Sequence, residues 1–133
     1  MNRILIDTVG FLALWNARDQ WHGRAAEVFS QLIGIGADFC TTAYVLLECG
    51  NAASRTPFRR DVVEVREQFL ADGKLIDPTE ADCFAAWAAY EAGTSGEASI
   101  VDHVSFAIMR RLEITDVFSN DRHFTAAGFN ALF

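Results

Sequence analysis

The sequence predicts an α/β domain with a mostly parallel sheet. Two observations carry this: short strand-like runs recur along the chain, and each is followed by a segment with apolar residues at helical spacing. The length sets the scale, since 133 residues suffice for one buried core and leave little room for a second domain. The span 1–133 is therefore expected to form a single domain.

Arg3–Ile6 is a β-branched run closed by Asp7, suited to a strand buried on both faces, and Val9–Trp15 continues as a helix. His22–Ile33 places Ala25, Val28, Phe29 and Leu32 at i, i+3, i+4 and i+7, which gives a one-sided helix ended by Gly34 and Gly36. Asp38–Thr41 reads as a short strand and Thr42–Ser54 as a helix. Pro57 opens a further helix to about Ala71, with Val62, Val65 and Phe69 inward. Lys74–Asp77 is a strand, and Thr79 with Asp82 forms a capping-box pattern that starts a helix through Phe84, Trp87 and Ala88. Gly93–Ala98 is a loop, Ser99–Leu112 a helix, Asp116–Ser119 a strand, Arg122–Ala127 a short helix and Asn130–Phe133 a terminal strand. No repeat, low-complexity tract or linker interrupts this order.

With 51% hydrophobic and 22% charged residues the chain is not of disordered composition. Its formal charge of −7 and pI of about 4.8 give no basic footprint for nucleic acid. No run reaches the roughly 18 apolar residues of a membrane helix, and Ile4–Trp15 lacks a cleavage site. Cys40, Cys49 and Cys83 have no metal or redox spacing, so a reducing, cytoplasmic compartment is expected.

Four acids stand where composition does not require them. Asp7 ends the first strand and could cap the next helix; Asp121 could likewise cap the helix at Arg122; Asp102 fits the third position of a capping box begun by Ser99. Glu48 lies in mid-helix, on a face assigned to Thr41, Asn51 and Arg55 and opposite Leu46, Cys49, Gly50 and Ala53. Each has a bland explanation, as a cap or a solvated stripe. Together they are better explained as a site, because Asp7 and Asp121 both fall at carboxyl ends of predicted parallel strands. Four carboxylates in one cleft repel one another unless cations intervene, and oxygen-only ligation selects Mg²⁺ or Mn²⁺ over zinc.

The sequence Leu5-Ile6-Asp7-Thr8, the pair Thr41-Thr42 followed by Val45-Leu46-Leu47-Glu48 and Asn51, the helix start Ser99-Ile100-Val101-Asp102, and Ser119-Asn120-Asp121-Arg122-His123-Phe124 resemble the PIN-domain ribonucleases. The likeness spans essentially the whole chain and is to the VapC-type toxins of bacterial toxin–antitoxin pairs. It implies a PIN-like three-layer sandwich around a five-stranded sheet, and endonucleolytic hydrolysis of RNA with Mg²⁺ or Mn²⁺ in a two-ion arrangement. By the same resemblance, Asp7 and Asp102 are ligands, Asp121 completes the cluster, and Glu48 binds a second ion or orients the water. Thr8, Asn51 and Ser119 would hold the carboxylates in place. Many relatives carry a further acid where this chain has Ser99, with Glu97 in the loop before it. The resemblance also implies a small DNA-binding antitoxin whose C-terminal arm covers the site, in a homodimer or hetero-oligomer.

Other features have plainer explanations. His22, His103 and His123 share no metal spacing; His123 is either a surface residue or a phosphate contact, and His103 points away from Asp102. Arg55, Arg59, Arg60 and Arg66, and the pair Arg110-Arg111, are equally explained by a solvated face and by RNA backbone contacts. Trp15, Trp21, Trp87 and the phenylalanines are expected mostly in the core, some at a dimer interface or partner groove. Two other functions compete: a catalytically silent domain binding protein or RNA, and a small-molecule phosphatase, for which an aspartyl-nucleophile motif is missing.

Overall fold

Strands and helices alternate along nearly the whole chain. The computed structural model describes residues 3–133; the first two residues of the expected 1–133 span lie outside the described residues. In order they are β1 (Arg3–Ile6), α1 (Thr8–Trp15), α2 (His22–Gly34), β2 (Asp38–Thr42), α3 (Ala43–Ala53), α4 (Arg59–Ala71) and β3 (Leu75–Ile76). There follow α5 (Glu80–Ala92), α6 (Ile100–Arg111), β4 (Asp116–Phe118), α7 (Arg122–Ala126) and β5 (Asn130–Ala131).

The sheet runs β3-β2-β1-β4-β5 and every neighbouring pair is parallel, so the expected α/β architecture holds without an antiparallel strand among those described. The strands sort their side chains by period two. Ile4 and Ile6 join Phe118 in a core shared with α1, α2 and α3, while Leu5, Cys40 and Val117 face Phe106 and Met109 of α6 and Phe124 of α7. Helices therefore cover both faces, giving three layers. The outer strands β3 and β5 are shorter than Lys74–Asp77 and Asn130–Phe133 as read from sequence. Each has one neighbour to pair with, and Pro78 follows closely after β3.

Local chemistry fixes the helix starts. The Thr42 hydroxyl accepts from Val45 N at 3.0 Å, and both arms of a capping box form at Thr79/Asp82 and at Ser99/Asp102. Gly10 has a different task. A Cβ there would lie 2.2 Å from the Phe118 carbonyl oxygen, so only glycine lets α1 pack this closely on the end of β4.

Several surface expectations are corrected. Trp21, just before α2, and Trp87 are exposed, as is Phe84, at 75%; α5 packs on α6 through Ala86 and leaves Phe84 and Trp87 on its outer side. Val62, Val65 and Phe69 face inward but are only half-buried, since α4 lies at the edge of its layer. Arg110 and Arg111 are tied into the fold: Arg111 forks onto Asp82 at 2.8–3.2 Å, and Arg110 lies 5.3 Å from the Phe129 ring centre. Arg60 pairs with Glu64 on an exposed helix face, as the solvated-face reading requires.

Candidate metal centre

The chain leaves β1 for β2 on one side and returns to β4 on the other, so the carboxyl ends of β1 and β4 flank the point where strand order reverses. Open α/β sheets form their ligand crevice there. Asp7 directly follows β1, Ser119 directly follows β4, and Asp121 lies two residues further on.

Asp7 is not a side-chain cap. Its backbone opens α1 in extended geometry, yet its carboxylate bonds no helix N–H. Oδ2 accepts from the Ser119 hydroxyl at 3.3 Å, whereas Oδ1 has no partner although the residue is only 2% exposed. Burial, reinforced by the negative field of Asp102 and more weakly of Glu48 and Asp121, pushes its pKa up to about 7 against the pull of the nearby Thr8 N–H. A buried carboxylate oxygen without a donor calls for a proton or a cation.

Glu48 approaches from α3. The buried Thr8, first residue of α1, donates a hydrogen bond to its Oε1 and ties α1 to α3 at the site. Cys49 sits beside Thr8, Asp7 and Glu48; burial pushes its pKa to about 12, so it stays a neutral thiol. The expected polar face of α3 is revised. Thr41 belongs to β2 and donates to the Ile6 carbonyl at 2.7 Å, and Arg55 lies exposed beyond the helix end. Asn51 is exposed in a shallow recess with Tyr44, Leu47, Glu48 and Val101, on the rim beside Glu48.

Asp102 comes from the first turn of α6. Its Oδ2 accepts from Ser99 N at 3.2 Å, and its other oxygen takes no part in that capping box. Burial above all, then Asp121 and Glu48, raises its pKa, against the Ser99 N–H and the nearby His123. Asp121 does cap α7, accepting from His123 N at 2.9 Å, while the Ser119 hydroxyl receives Asp121 N at 3.0 Å. Ser119 thus connects Asp7 to the backbone of Asp121.

His123 is the member that sequence reasoning missed. Its Nδ1 lies 2.9 Å from Asp121 Oδ1, and single ligand atoms of Asp102, Asp121 and His123 all fall within 4.8 Å of one another. The available signal was local: the N-cap carboxylate accepts from the backbone N–H of the second helical residue, which brings His123 near Asp121 along the chain. The cluster accordingly includes one nitrogen. His103 points into the α5–α6 packing, edge-on to Tyr90 and Phe106, outside the site as expected.

The four acids and an unpartnered buried oxygen fit a divalent cation: the charge is sufficient, and the oxygens supply hard ligands. A family model described as PIN domain matches residues 4–130.

The chain belongs to the PIN-domain family.

Two curated relatives from two strains of Mycobacterium tuberculosis, both named 23S rRNA-specific endonuclease VapC20, are 31% identical to this PIN domain over 127 residues, covering 95% of each chain. The crystal structure of Mycobacterium tuberculosis VapC20, described as a Sarcin-Ricin loop cleaving toxin, matches with a TM-score of 0.81 at 29% identity over 95% of both chains. FitAcB from Neisseria gonorrhoeae has a TM-score of 0.68 at 16% identity, with 98% of this chain and 96% of that one covered. DNA-bound VapBC from Salmonella typhimurium has 0.63 at 16%, over 98% and 97%. At that identity the last two share the PIN fold. The expected PIN-like sandwich is thus the fold of this family.

Proposed function

We propose that this PIN domain, taken as one nuclease domain over 1–133, is a divalent-metal-dependent endoribonuclease that cuts 23S ribosomal RNA as the toxin of a toxin–antitoxin pair. The observation that carries the chemistry is the buried, unpartnered Oδ1 of Asp7 facing three further acids. The likeness to VapC20 supports the substrate.

Asp7, Asp102 and Asp121 would hold Mg²⁺ or Mn²⁺, with Glu48 at the outer edge. When bound, such ions neutralise phosphate charge and lower the pKa of water. The chain's own residues set the geometry. Thr8 fixes the Glu48 carboxylate so that it can accept a proton from an attacking water, and Ser119 orients both Asp7 and the turn leading to Asp121. Arg122 is exposed in a groove of about 450 Å³ with His123, Glu97 and Thr94, which suits it to an RNA phosphate better than Arg110 or Arg111.

A partner segment is supported by an apolar groove of about 610 Å³ lined by Phe11, Trp15, Phe29, Phe39, Val65 and Phe69. It suits the apolar face of an antitoxin helix. The exposed Phe84, Trp87 and Tyr90 support self-association into a dimer. No helix among the described residues is long and apolar enough to cross a membrane, and a ribosomal substrate goes with a cytoplasmic location.

Incubating the purified protein with ribosomal RNA tests the reading. Cleavage is expected with Mg²⁺ or Mn²⁺, and its loss with chelator and in folded Asp7→Asn and Asp102→Asn. Cleavage that persists in either variant overturns the assignment, and the absence of both Mn²⁺ binding and a metal-induced thermal shift favours the silent binding domain.

A further inference from the structure

We propose that His123 is a direct ligand of the divalent ion and that its imidazole biases the centre toward Mn²⁺ over Mg²⁺. This rests on the reading of the acids as a metal centre and adds a donor that a purely carboxylate site lacks.

Geometry leads to this assignment. The His123 Nδ1 to Asp121 Oδ1 distance is 2.9 Å. Two adjacent ligands on an octahedral ion, with bonds of about 2.1 Å at right angles, stand about 3 Å apart. One ligand atom each of Asp102, Asp121 and His123 all lie within 4.8 Å of one another, close to the separation of about 4.2 Å between opposite ligands on such an ion. The arrangement is held from the backbone side, because His123 N bonds Asp121 Oδ1 and places the ring and carboxylate on one turn of α7. A second observation points to a ligand independently of this trio. Asp7 Oδ1 is buried without a partner and feels the charges of Asp102, Glu48 and Asp121, and no cationic side chain among the described residues pairs with it.

Chemistry decides the selectivity. Mg²⁺ prefers oxygen and keeps several waters, so a nitrogen donor adds little to its binding. First-row transition ions accept imidazole, and Mn²⁺ is the mildest of these that also suits carboxylates. The competing role for His123 is that of a hydrogen-bond donor which merely positions Asp121.

Pulsed electron paramagnetic resonance on the Mn²⁺-loaded full chain, unlabelled and with ¹⁵N-histidine, separates the two. A directly coordinated nitrogen that changes on labelling is expected, with its loss in His123→Gln. Calorimetric titration with MnCl₂ and MgCl₂ is expected to show Mn²⁺ affinity falling about tenfold or more in that variant while Mg²⁺ affinity changes little. Mn²⁺ bound to the wild type without nitrogen coupling overturns the inference and leaves the carboxylate centre standing. If neither ion binds the wild type, or both bind Asp7→Asn and Asp102→Asn undiminished, the metal reading itself falls and the inference with it. The labelled wild type decides the question even if His123→Gln does not fold.

Discussion

Asp7 concentrates the physics of this molecule in one side chain. Its carboxyl ionises near 4 in an unfolded chain and near 7 in the metal-free fold, because burial and neighbouring acids oppose the charge. Between those values the unfolded state holds fewer protons than the folded one, so stability falls as pH rises, by up to about 4 kcal/mol. The raised pKa of Asp102 acts in the same direction. Melting in chelator is expected to give a lower Tm at pH 7.5 than at pH 5, and divalent ions to raise Tm more at the higher pH; a metal-free Tm that climbs over this range contradicts the account. Asp7→Asn removes the buried charge. At pH 7.5 in chelator it is expected to melt several degrees higher than the wild type, while cleaving RNA at least about 100-fold more slowly.

At the scale of elements, two contacts hold the helices that deliver the acids. Asp82 serves α5 twice, as an arm of its capping box and as the buried acceptor of the Arg111 fork from α6. The Arg111 guanidinium holds its pKa below the usual carboxylate range. Asp82→Ala is expected to cost about 2–3 kcal/mol in urea unfolding. Arg111→Lys, which keeps the charge and loses the fork, should cost less. Gly10→Ala forces α1 away from the Phe118 carbonyl, which lies next to Ser119 in the chain. A loss of about 2 kcal/mol or more is expected together with weaker metal binding by calorimetry. An alanine variant as stable as the wild type would show that α1 can shift freely.

Over the whole molecule, the charge of −7 sets how RNA can be approached. Four acids converge on one crevice, and two divalent ions would offset four negative charges at the point where phosphate must enter. The metal-free protein is therefore expected to bind polyphosphate poorly. Fluorescence anisotropy with a labelled oligodeoxynucleotide, as an uncleaved analogue, should show binding that rises with Mg²⁺ and is lost in Arg122→Ala. Binding independent of the ion would place the phosphate contacts elsewhere.

The sequence by itself determined the layered parallel α/β plan, because period-two strands and one-sided helices can bury their apolar faces in few other ways. It also marked Asp7, Glu48, Asp102 and Asp121, since acids at strand ends and in an apolar helix conflict with local expectation. Local reading could not rank their roles. Caps formed at Asp102 and Asp121 but not at Asp7, and only the register of β1 beside β4 shows why: Ser119 occupies one Asp7 oxygen and leaves the other bare. Tertiary structure likewise placed His123 in the cluster, set Asn51 on the rim, and turned Trp87 outward while tying down Arg111. Those outcomes depend on which element lies across the gap, and residues distant along the chain decide that.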